Sequence, residues 1–71
     1  MTANYEVRAE FKVKVFTNNG TTIETVVGTL NEIVSRYNGK LNNGSILNYQ
    51  VYFNLRGNYQ LVAEGVEEYG M

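Results

Sequence analysis

The chain has no cysteine and no histidine, and aspartate and tryptophan are missing as well. Without cysteine there is no disulfide and no thiolate metal site, and the redox compartment leaves no trace. Without His, Cys or Asp, most side chains that serve acid–base or nucleophilic catalysis are absent. Ser35 and Ser45 have no histidine to activate them, and all seven acids are glutamate. Glu64, Glu67 and Glu68 read as an acidic chain end, because neighbours such as Glu67 and Glu68 point to opposite faces of a strand. The chain is therefore expected not to be an enzyme and to need no cofactor or metal.

Excess charge is missing too. A formal net charge of −1 exerts no general pull on nucleic acid or an anionic membrane. No apolar run approaches the ~20 residues of a membrane span. The amino terminus has no basic start followed by an apolar stretch, so a cytoplasmic location is expected. Glycines are scattered and form no phosphate-binding pattern. Asn19-Gly20-Thr21 and Asn43-Gly44-Ser45 match glycosylation sequons. Here they read as turns, in keeping with ten asparagines in the chain, a residue that tolerates positive φ.

With 71 residues, the chain is expected to be one domain, residues 1–71, near the lower limit for an independent core. A core of this size supplies about 3–5 kcal/mol, and small scaffolds add disulfides, a metal or self-association. Self-association is the one left.

What is present begins with alternation. Tyr5, Val7, Ala9, Phe11, Val13 and Val15 fall on one parity, and Glu6, Arg8, Glu10, Lys12 and Lys14 on the other. Only a β-strand turns that spacing into one apolar and one charged surface. A second strand spans Thr21–Val27. Thr29 and Glu32 form a capping box for a helix of about ten residues. Leu30, Ile33, Val34 and Tyr37 make its apolar face, and Asn38-Gly39 supplies a stop. A third strand, Ile46–Leu55, and a fourth, from Tyr59 to about Glu67, complete the order. A three-residue loop, Asn18-Asn19-Gly20, would pair Val15 with Ile23 and Lys14 with Glu24. A two-residue loop at Asn19-Gly20 would instead place the Glu24 carboxylate on the apolar face. The same reasoning at Arg56-Gly57-Asn58 pairs Phe53 with Leu61 and Val51 with Ala63.

The expected fold is thus α+β: a four-stranded sheet with one short helix on one face, in the order ββαββ. A helix between two hairpins favours a β-grasp arrangement, sheet order 2-1-4-3, with the first and last strands central and parallel. The alternating first strand, the turn Asn19-Gly20-Thr21-Thr22, the Gly28-Thr29 helix start and the second hairpin resemble the small immunoglobulin-binding domains of bacterial surface proteins G and L. The resemblance implies the fold and assigns no binding residue, since fold alone does not carry function.

Parity also distributes the apolar residues. Phe11, Val13, Val15, Ile23, Val27, Val51, Phe53, Leu55 and Leu61 would form the core under the helix. Phe16, Val26, Ile46, Tyr52, Val62 and Val66 would fall on the opposite face, where contiguous apolar surface marks an interface. A ten-residue helix (~15 Å) cannot cover a twelve-residue strand (~40 Å). Tyr5 and Val7 would then lie uncovered, on a stretch, Asn4–Glu10, without a neighbour along one edge. Such an edge calls for a partner. The candidate interface is therefore Tyr5, Val7, Phe16, Val26, Ile46, Tyr52, Val62 and Val66.

The expectation for function is a small binding protein acting as a homodimer or higher oligomer. Chains of this size and composition suggest, by association alone, a phage or mobile-element inhibitor that binds a host protein or captures a small nucleotide. The alternative is a single-stranded nucleic-acid-binding module, with Arg8, Lys12, Lys14 and Tyr52 as a cationic and aromatic sheet face. Interleaved Glu6 and Glu10 weigh against it.

Overall fold

Two hairpins with a helix between them make up residues 8–65, the part that the computed structural model describes; Tyr5, Val7 and Val66 lie outside it. The elements are β1 (Ala9–Thr17), β2 (Gly20–Gly28), α1 (Leu30–Asn42), β3 (Asn48–Leu55) and β4 (Asn58–Gly65). The α+β class and the ββαββ order are as expected. Among the described residues no helix is long and apolar enough to cross a membrane.

The sheet order differs from the expected 2-1-4-3. It is β2-β1-β3-β4, antiparallel throughout. Two local causes place β3 beside β1. The connection after α1 is short, and the Leu47 amide donates to the Phe16 carbonyl at 2.7 Å, docking the incoming chain at the end of β1. The inward residues of β3 are also the bulky ones. Tyr49 and Val51 are fully buried, whereas β4 offers only Gly65 and Ala63 opposite them. A strand with large apolar side chains gains most by taking the centre.

Both hairpin registers also depart from expectation. Thr17 pairs with Gly20, so the loop is Asn18-Asn19 alone, and Gly20 takes the positive φ of 129°. The pairs become Val15–Thr22, Val13–Glu24 and Phe11–Val26. Glu24 thus lies on the helix side, where the Tyr37 hydroxyl donates a hydrogen bond to its carboxylate. That bond removes the objection to a carboxylate on this face. Ile23 and Val27 move to the opposite surface, and Val26 packs against the core. The second loop is Arg56-Gly57, with φ of 55° and 90°, the doubly left-handed conformation of a tight hairpin. Leu55 then pairs with Asn58 and Tyr52 with Leu61, until an irregularity at Val62 restores the expected Val51–Ala63 pair.

The helix is longer than expected. Thr29 Oγ1 accepts from the Glu32 amide at 3.1 Å, and Glu32 Oε1 accepts from the Thr29 amide at 3.0 Å, so the capping box is present. Asn38-Gly39 does not end it. Leu41, one turn beyond Tyr37, packs against the core and carries the helix to the Asn43 cap, after which Gly44 turns out at φ 84°. The core consists of Phe11, Val13, Val15, Tyr49 and Val51 from the sheet, Ile33 and Tyr37 from the helix, and Ile46 from the connection. Ile46 was expected on the outer face by strand parity. It precedes the strand, so parity does not govern it, and it turns inward.

Candidate interaction surface on the helix-free face of the sheet

The registers line up side chains in rows across the helix-free face. One row runs Thr25–Lys12–Tyr52–Leu61 and the next Ile23–Lys14–Gln50–Glu64. Phe16 stands in a third row, between Thr21 and Asn48. Each residue is where it is because β1 and β3 alternate, sending Val13 and Val51 to the core and Lys12 and Tyr52 outward.

An antiparallel sheet covered on one side normally shows polar residues on the other. This one does not. Ile23 is 66% exposed, Val27 61%, Tyr59 52% and Leu61 47%. None of the four was expected here: Ile23, Val27 and Leu61 were assigned to the core. The signal that locates them is turn chemistry. Gly57 as the second residue of a two-residue loop favours the tight turn, and that turn places Tyr59 and Leu61 outward.

The other expected site residues are dispersed. Phe16 and Tyr52 are on the helix-free face, both partly buried. Val26 and Ile46 are on the helix side, and Val62 sits at the irregularity in β4. Tyr5, Val7 and Val66 fall outside the described residues. Ala9 and Glu10 pair with Gly28 and Val27, so this end of the Asn4–Glu10 edge has a neighbour after all.

Lys12 and Lys14 stand at the centre of the face. Lys12 Nζ donates to Thr25 Oγ1 at 2.6 Å, and Lys14 Nζ lies 5.8 Å from the Phe16 ring centroid. Arg8 leaves the group, because its guanidinium pairs with Glu32 at 3.1 Å at the helix start. That is the only ion pair among the described residues. The Thr29 amide, followed by Arg8, holds the Glu32 carboxyl below its ordinary value. Tyr52 donates to Gln50 Oε1 at 2.8 Å, and Gln50 Nε2 donates to Glu64 at 3.3 Å. This network fixes the Tyr52 ring beside the lysines.

Two clefts open on this side of the sheet. Lys12, Lys14, Ile23, Tyr52 and Tyr59 line one of about 330 Å³. The second, of about 660 Å³, shares Lys12 and Tyr59 and adds Glu10 and Arg56. No cluster of three or more potential metal-ligating side chains occurs among the described residues. Comparison of the chain with known protein families, with curated proteins and with solved structures gives no match.

Proposed function

We propose that the protein is a non-catalytic binding protein that acts as a homo-oligomer, with the helix-free face of its sheet as the contact surface. It works by occupying a partner, as an inhibitor does, and turns over no substrate. One observation carries this reading: Ile23, Val27, Tyr59 and Leu61 are exposed on a single face, where a solvated sheet would be polar. A small core without disulfide gains stability by covering that face with a second copy. Compositional absence supports the non-catalytic part, since the chain has no His, Cys or Asp.

Light scattering across micromolar concentrations tests the association. The expected mass is at least twice that of the 8.0 kDa chain, and Ile23→Glu should reduce it to one copy while the circular-dichroism spectrum stays folded. A monomer at every concentration overturns the proposal.

A further inference from the structure

We propose that the cleft between Lys12, Lys14, Tyr52 and Tyr59 binds a nucleotide, the base lying on the tyrosine rings and the phosphate on the lysines. The inference rests on the helix-free face being the contact surface, so that the nucleotide is held between two copies of the chain, and it names the class of ligand taken there.

The lysines supply the first argument. They leave β1 at alternate positions, so their stems stand about 7 Å apart on one face. A carboxylate directly across from a sheet cation would stabilise it. Here the cross-strand neighbours are Thr25 and Tyr52 for Lys12, and Ile23 and Gln50 for Lys14. Neither lysine forms an ion pair among the described residues. An ammonium has three donors, and Lys12 places one of them on Thr25. Both lysines line the cleft, and among the described residues their remaining donors have no hydrogen-bond acceptor; a phosphate would supply one.

The rings supply the second argument. Tyr52 is directly opposite Lys12, and Tyr59 lines the same cleft from β4. Base-on-ring stacking tolerates any base because every base has a π-face. Ile23 closes the apolar side. A volume of about 330 Å³ is at the lower end of small-ligand pockets. The adjoining cleft adds Arg56 beyond the shared Tyr59, so a second nucleotide of a strand has a cation to meet. Two carboxylates share the face: Glu64 is engaged by Gln50, and Glu10 lines the adjoining cleft together with Lys12, without forming an ion pair with it. With a net charge of −1, attraction is local to the cleft.

Fluorescence anisotropy of a short fluorescein-labelled oligothymidylate against the full chain at low salt tests this, with equilibrium dialysis of ATP beside it. Saturable binding is expected, weakened about tenfold or more by Tyr59→Ala and by the Lys12→Gln/Lys14→Gln double variant. Binding of ATP assigns a free nucleotide as the ligand, and binding of the oligonucleotide alone assigns a single strand. Polyglutamate, an anion without rings, should not compete. The proposal is overturned if neither probe binds, if polyglutamate competes as well as a nucleotide, or if Tyr59→Ala, folded by circular dichroism, binds as wild type. Should that variant not fold, the lysine double variant decides. Light scattering of the nucleotide-free protein separates the two readings: an oligomer that binds no nucleotide overturns the ligand alone, and a monomer that binds none overturns both.

Discussion

At Tyr37, burial and a hydrogen bond act in the same direction. Its hydroxyl is taken from water first by packing and then by the Glu24 carboxylate it donates to, and together they push its pKa up to about 12. In the unfolded chain a tyrosine ionises near pH 10. Between roughly pH 10 and 12 the unfolded state loses the proton while the folded state keeps it, so stability is full below that window and falls on rising through it. Thermal melts should show the decline, with Tyr49, raised by burial, adding to it. Tyr37→Phe should reduce the slope and cost about 1 kcal/mol at neutral pH, where Glu24 loses its donor. At Gly65 the constraint is space. A Cβ there would come within 2.9 Å of Tyr49 Cδ1, and both residues are buried. Gly65→Ala should destabilise by about 1–3 kcal/mol in denaturant melts.

Elements differ in how much of them was legible. The capping box was, because Thr29 and Glu32 form a local motif whose chemistry needs nothing outside four residues. Thr29→Ala should cost about 0.5–2 kcal/mol in a urea melt and leave nucleotide binding unchanged. The helix end was not legible, because Gly39 is an ordinary stop that packing of Leu41 overrides. Strand parity held along β1 and over residues 49–53 of β3. It failed at the ends of the third strand, where Leu55, expected in the core, is 47% exposed and Ile46 is buried. Parity between strands failed at both hairpins by one residue, and a slip of one sends every side chain to the other face. In the first hairpin a long-range bond, Tyr37 to Glu24, removes the cost that argued against the observed face. In the second, the irregularity at Val62 allows one register near the turn and another at Val51.

The whole molecule has one packed side and one uncovered side, on which exposed apolar residues of the outer strands flank the central lysines. Half of the candidate face, Phe16, Tyr52, Lys12 and Lys14, was legible because it belongs to the central strands. The other half, Ile23, Val27, Tyr59 and Leu61, belongs to the edge strands, whose facing depends on turns. If that face is an interface, truncating an anchor costs about 2 kcal/mol or more in association. Ordinary surface substitutions stay within about ±0.5 kcal/mol. Leu61→Ala should therefore shift the midpoint of dissociation on dilution, measured by light scattering, whereas Thr22→Ala, exposed on the helix side of β2, should not.

In each hairpin the first strand is inner and the second is outer. Every inner strand is thus bonded on both sides to other segments, and every outer strand on one side only. Exchange of amide hydrogens with deuterated solvent should divide along that line. The amides of Val13 and Val51, fully buried in adjacent inner strands, should open only with global unfolding. Those of β2 and β4 whose N–H groups point away from their partner should exchange within the shortest labelling times. Protection of these outer amides as concentration rises would show a neighbour arriving along the edge and not across the face.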